Sequence, residues 1–331
     1  MGKKSREKRE RRKPAAPRAE GGAGAQHPVH DRRANERTMV DLHRILAEQN
    51  FADIDEANRF MADLIAKSGG RVPSRPARTP VEEAQDIMYE AWEARGLQRV
   101  KLARRALETS PDCADAYVLL AEETARSLTE ARDLFAQGVA AGERALGEAF
   151  FRENTGHFWG ILETRPYMRA RAGLAQCLWM LDERTAAVEH YQGLLRLNPN
   201  DNQGLRDVLL DCLLELNHDE EAERLLQQYE DDGTASWLYN WALLVFRREG
   251  DSPEARRRLK EALEQNQHVP PCLLGRKRLP RELPDLVGFG DEDEAIAYAG
   301  NALVTWRNTP GALEWLAGAD SKDRFIDARL H

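Results

Sequence analysis

Six residues able to do acid–base or anion chemistry, with one tryptophan among them, fall within one short stretch, F-F-R-E-N-T-G-H-F-W-G-I-L-E-T-R-P-Y-M-R, from Phe150 to Arg169. They are Arg152, Glu153, His157, Trp159, Glu163, Arg165 and Arg169. An imidazole titrates near neutrality, a carboxylate can orient it, and guanidinium groups hold an anion, so His157 with Glu163 could in principle move a proton on an anionic substrate. The same residues equally suit an ordered insertion stapled by ion pairs, with Phe151, Phe158 and Trp159 buried beneath it. A catalytic centre needs convergent geometry, which linear spacing does not supply, so the structural role is the expectation and no catalytic residue is assigned.

Other chemistries lack their residue patterns. His27 and His30 in H-P-V-H have ligand spacing, but they stand alone in a polar segment, and a structural zinc site takes four ligands. There is no H-E-x-x-H, no G-x-x-x-x-G-K-[ST], and Gly288 and Gly290 follow no strand pattern, so neither a metal nor a nucleotide cofactor is implied. Cys113, Cys177, Cys212 and Cys272 are dispersed without a C-x-x-C pair and read as small apolar packing residues.

The elements that would position these side chains are helices. Ala187, Ala222 and Ala255 recur at intervals of 35 and 33 residues, each at the same place in a helical pattern. Around the first of them, Leu174, Ala175, Leu178, Ala187, Tyr191, Leu194 and Pro199 have the offsets of a tetratricopeptide repeat, in which two antiparallel helices pack small residues against large ones. Ala175 and Ala187 leave room for Leu178 and Tyr191, which lets the helix axes approach to roughly 8–10 Å. Pro199 closes the second helix, because it lacks an N–H and disfavours a helical Asn198. The fold class is therefore all-α, a right-handed α-solenoid of tetratricopeptide-like hairpins.

The expected order along the chain is a basic disordered tail over 1–30, a small helical pair over 31–67 with Asp53 as an N-cap, and a Gly/Pro-rich linker over 68–80. N-terminal hairpins follow over 81–149, then repeats over 150–270 with an insertion at 150–169. A loop with capping helices takes 271–318, and a tail takes 319–331. Residues 1–18 carry nine Lys or Arg against two Glu, a net +7, which leaves −15 for the rest of a chain whose formal charge is −8. Such a segment could make weak phosphate contacts with nucleic acid, or simply solubilise the chain; no aromatic residue interleaves it to stack on bases. The longest apolar stretch, Trp237 to Phe246, is ten residues against the roughly 20 needed to span a bilayer, so a cytoplasmic protein without a membrane span is expected.

Beyond the repeats, N-Q-H-V-P at Asn266 to Pro270, G-D-E-D-E-A-I-A-Y at Gly290 to Tyr298, and Trp306 followed by Gly311-Ala312-Leu313 resemble the C-terminal half of the suppressor of tumorigenicity 7 family. The Phe150 to Arg169 segment is similar to soluble bacterial-type repeat proteins. The resemblance implies a helical repeat fold and assigns no catalytic residue.

A scaffold for protein interaction is the expected function, binding an unidentified partner peptide or helix in a groove lined by the first helices of successive hairpins. The groove candidates are Arg165, Arg169, Gln176, Asp207, Asp211, Asn240, Arg247 and Arg248. Gly173 and Gln176 stand where repeats that grip a chaperone's C-terminal carboxylate carry Asn, which argues against that ligand. Alternatives are a nucleic-acid-associated accessory protein using the basic tail, and an enzyme centred on His157 and Glu163.

Overall fold

The computed structural model describes residues 32–284 and 286–327, with side chains described for 35–284 and 286–319. The basic segment 1–18, the histidines at 27 and 30, and residues 328–331 lie outside the described residues. In chain order the helices are α1 (Arg32–Leu46), α2 (Ile54–Lys67), α3 (Pro80–Glu93), α4 (Leu97–Thr109), α5 (Ala114–Thr124) and α6 (Leu128–Leu146). Then come α7 (Glu148–Asn154), two 3₁₀ turns (Phe158–Gly160 and Leu162–Thr164), α8 (Arg165–Met180) and α9 (Arg184–Leu197). The rest are α10 (Leu205–Glu215), α11 (Asp219–Gln228), α12 (Ala235–Glu249), α13 (Pro253–Gln265), α14 (Val269–Leu273), α15 (Glu292–Asn308) and α16 (Ala312–Asp327). No strand occurs among the described residues.

Pairs α3/α4, α5/α6, α8/α9, α10/α11 and α12/α13 form hairpins, and each packs on the next, giving an α-solenoid of tetratricopeptide-like repeats. Ala175, Ala187, Ala222 and Ala255 are all fully buried at the hairpin seams. The seam between α6 and α8 is the tightest. A Cβ added at Gly142 would stand 2.8 Å from the Tyr167 Cβ, so only glycine allows this approach. Gly173 lies against the ring of Phe135 in the same seam, so it faces the preceding hairpin.

Helix starts are fixed locally. Asp53, Thr79, Ser127, Thr234, Ser252 and Asp291 each accept a hydrogen bond from the N–H three residues on. At four of these, a glutamate at that third position also accepts from the N–H just ahead of the cap: Glu56 from Ala52, Glu82 from Arg78, Glu130 from Arg126, and Glu294 from Gly290. Caps of this kind stabilise by about 1 kcal/mol each.

Two boundaries differ from the sequence expectation. Arg165 to Arg169 form the first turn of α8 and are not part of an insertion, because Pro166 has a φ already suited to a helix and no N–H to lose at that position. At the other end α16 runs continuously from Ala312 to Asp327, so the expected boundary at 319 falls inside a helix.

Candidate functional site

The first helices of the hairpins present a row of polar residues, and two further helices of the same chain lie on it. At the N-terminal end, α3 offers Gln85, α5 offers Asp115 and α8 offers Arg165 and Arg169. Gln85 Nε2 donates to Asp115 at 2.8 Å, and Arg169 makes a two-pronged bond to both Asp115 oxygens at 2.8 and 2.5 Å. Onto this set α1 brings Glu36, which accepts from Arg169 Nη1 at 2.9 and 3.1 Å and from Arg165 Nη1 at 3.2 Å. Asp115 and Glu36 are almost entirely removed from water, with side chains 0% and 3% exposed. Burial works against the Arg169 cation, but Asp115 and then Glu36 outweigh it, and the Arg169 pKa rises above the ordinary arginine value.

At the C-terminal end, α15 packs on α10 and α12. Trp306 Nε1 donates to the Tyr298 hydroxyl at 2.7 Å, that hydroxyl donates to Asn240 Oδ1 at 2.9 Å, and Asn240 Nδ2 donates to Asp211 at 3.2 Å. Burial, with Asp207 nearby, pushes the Asp211 carboxyl up to about 7, against the pull of the Asn240 bond. Asp207 is pushed up to about 6, by burial first and by the neighbouring Asp232 second.

The structure divides the groove candidates. Arg165 and Arg169 lie under α1, and Asp211 and Asn240 lie under α15. Arg247 is tied at 2.8 Å to Asp219 and at 3.3 Å to Thr309, at the joint between α15 and α16. Arg248, one residue on and so roughly 100° around the helix, pairs with Glu223 of α11 at 2.6 Å. Gln176 remains partly exposed, whereas Asp207 keeps some surface while its carboxylate Oδ1 is buried. The covering was invisible to repeat-by-repeat reasoning, which assigns faces from offsets and has no means of knowing that α1 returns to them.

The acid–base set of the Phe150 to Arg169 stretch does not converge. His157 is exposed, Arg152 and Glu153 approach only each other, at 4.0 Å, and Glu163 lies 3.6 Å from His43 of α1. What the stretch builds is an aromatic joint. Phe151 stands 5.0 Å from both Phe158 and Tyr167, and the fully buried Thr164 hydroxyl lies within hydrogen-bond reach of the carbonyls of Phe158 and Ile161, with one proton to donate between them. Trp159 is only partly buried, with Arg165 over its ring at 5.1 Å. All four cysteines are free and buried, and no group of His, Cys, Asp or Glu able to hold a metal occurs among the described residues.

Two of the three sequence strings set apart from the repeats meet in space. Asn266 Nδ2 donates to Glu294 and to the Asp291 carbonyl, both at 2.9 Å, and Glu294 also accepts from the Ala235 N–H that opens α12. They fasten α15 to the end of the array.

A stack of helical hairpins whose polar first-helix face is overlaid by its own flanking helices defines a helical repeat protein. A family model described as ST7 protein matches residues 78–325, and the chain belongs to that family. It is 33% identical over 253 residues to the suppressor of tumorigenicity 7 protein-like of Bos taurus, covering 70% of this chain and 45% of the relative. It is 30% identical over 261 residues to the protein ST7 homolog of Drosophila melanogaster, covering 71% of this chain and 48% of the relative. The chain thus spans about half the length of these relatives. Among solved structures, the crystal structure of YrrB, a TPR protein with an unusual peptide-binding site, is similar with a TM-score of 0.39 and 20% identity, covering 56% of this chain and 84% of that one. No helix among the described residues is long and apolar enough to cross a membrane.

Proposed function

We propose that this protein is a non-enzymatic interaction scaffold that holds a partner peptide or helix against its first-helix face. The observation that supports this most is that an isolated helix, α1, already lies on that face through side-chain hydrogen bonds to α3 of the first hairpin and α8 of the third, so the face has the spacing and polarity to hold a helix. Stacked hairpins supply an extended surface and no chemistry of their own. The scattered positions of His157, Glu153 and Glu163 agree with a binding role, because a proton-transfer pair must be within hydrogen-bond reach.

A photo-cross-linking residue placed at Gln176, between α1 and α15, tests the reading. Saturable cross-links to a discrete protein are expected there, and none from the same residue at Lys260 on α13, whose side chain is 73% exposed. Equal labelling from both positions would reject a face-specific scaffold. Turnover of a metabolite that is lost with His157→Ala in a folded protein would replace it with an enzyme.

A further inference from the structure

The contact between α1 and the array is built unlike the rest of the core. Apart from Ile45, its described buried side chains are charged: Glu36, Asp41 and Arg44. Glu36 reaches Arg165 and Arg169, while eight residues on, about 12 Å along the helix, Arg44 Nη1 binds both oxygens of Asp86 at 3.1 and 2.9 Å and its Nε lies 3.3 Å from Glu82. Beside the Arg44 anchor lies a cavity of about 170 Å³, walled by Val40, His43 and Arg44 of α1, by Ala47 just beyond it, and by Tyr89, Leu162 and Glu163 of the array. An apolar cavity of about 150 Å³ is large enough to admit benzene. The space under α1 therefore accommodates more side chain than Val40 supplies.

Three observations make α1 separable from its seat. Buried ion pairs roughly break even against their desolvation, so the anchors give register more than net stability. Residues 47–79, which join α1 to α3, contain α2, none of whose residues is fully buried, and Ser74, Arg75 and Arg78 at the end of this connection bond to Asp41, Arg44 and Glu48, so the connection is tied to α1 and can move with it. The family match begins at residue 78 and includes Glu82, Gln85, Asp86, Asp115, Arg165 and Arg169, whereas α1 lies upstream of it.

We infer that the surface formed by α3, α5 and the start of α8 is a docking seat for a partner helix, and that α1 occupies it in cis. The geometry of α1 gives the partner's chemistry. It is an amphipathic helix with a carboxylate facing Arg165 and Arg169, a guanidinium or ammonium two turns later facing Asp86 and Glu82, and a large apolar side chain between them for the cavity. This inference rests on the scaffold reading and names its site and ligand class.

The test uses the full chain and a labelled, helix-stapled peptide of residues 32–46 carrying Val40→Leu. In the chain, Glu36→Lys should repel α1 from the arginine pair. Amide exchange of α1 should rise at least tenfold, and the peptide should bind this variant at least tenfold tighter than it binds wild type. Arg165→Glu in a chain that keeps Glu36 should release α1 likewise but fail to bind this peptide, and a peptide carrying Glu36→Lys should bind that chain. Arg165 is chosen because Arg169 also holds Asp115 and its loss risks the fold.

Unchanged α1 exchange in the Glu36→Lys chain, or equal peptide affinity for both chains, would overturn the inference and leave α1 as a fixed part of the core. A wild-type dimer that dissociates on adding the peptide would overturn the cis arrangement in favour of α1 exchange between two copies. If the peptide fails while Gln176 still cross-links a partner, only the seat is lost. If Gln176 also fails, the scaffold reading falls with it.

Discussion

Glu36 and Arg169 lie 133 positions apart and meet at 2.9 and 3.1 Å, inside a pocket that almost excludes water. Arg169 is held on its other side by Asp115, so one guanidinium joins α1 to two helices of the array. The two carboxylates differ in how replaceable they are. Asp115 belongs to the packed core of α5, whereas Glu36 sits on a helix that can leave.

That difference gives a stability prediction. Asp115→Ala should cost about 3–5 kcal/mol, because Arg169 is then buried beside a missing counter-charge on the array itself. Glu36→Gln should cost less, since α1 can lift off and return Arg165 and Arg169 to water. Urea denaturation of both variants checks the order. Equal midpoints would show that α1 and the array unfold as one unit.

At the hairpin seam, Ala187→Leu should overpack the contact between α8 and α9 and cost about 1–3 kcal/mol. Arg184 opens α9 at the turn after α8. Its guanidinium stacks on Trp179 at 4.8 Å and pairs with Asp182 and Glu215. Arg184→Ala should therefore cost about 0.5–1 kcal/mol, above the usual surface value and still below the alanine overpacking. Thermal melts that reversed this order would show that the helical register is misassigned.

The repeats were legible because close helix packing needs a small residue at a fixed phase, and Ala187, Ala222 and Ala255 satisfy that need visibly. Caps were legible for the same local reason, as at Asp53. What the sequence did not reveal was every contact made across a large separation: Glu36 on Arg169, Tyr298 on Asn240, Asn266 on Glu294. A polar residue at a groove offset looks the same whether water, a partner or the chain's own helix covers it. The strings around Asn266 and Gly290 were conspicuous in the sequence. Their role in fastening α15 appears only when they meet.

The aromatic joint allows the buried and the apparent anchor to be separated. Phe158 is fully buried between Phe150, Phe151 and Tyr167, and Phe158→Ala should cost about 3–5 kcal/mol through cavity formation. Trp159 is expected from the sequence to be buried in the same set. Its partial exposure and its contact with Arg165 reduce the expectation for Trp159→Ala to about 1–2 kcal/mol. Chemical denaturation of the two variants decides between them, and a larger loss at Trp159 would contradict the packing described.

The Asp211 carboxyl links stability to pH in a direction opposite to that of a salt-bridged acid. Its folded-state value of about 7 lies above the ordinary aspartate value of 3.8, because burial and Asp207 disfavour the charge. The folded protein therefore binds more protons than the unfolded chain between those two values, and stability falls as pH rises through that window. Asp207, held at about 6, adds to the same slope over a narrower range. Asp211→Asn keeps an oxygen to accept from Asn240 and removes the charge, so it should stabilise the protein by about 1–2 kcal/mol at pH 8 and have little effect near pH 4. Denaturation midpoints of wild type and variant at pH 4, 6 and 8 measure this. A wild-type curve that steepened upward with pH, or a variant that lost stability at pH 8, would mean that Asp211 is ionised and paired in the folded protein, with a cation at that end of the groove.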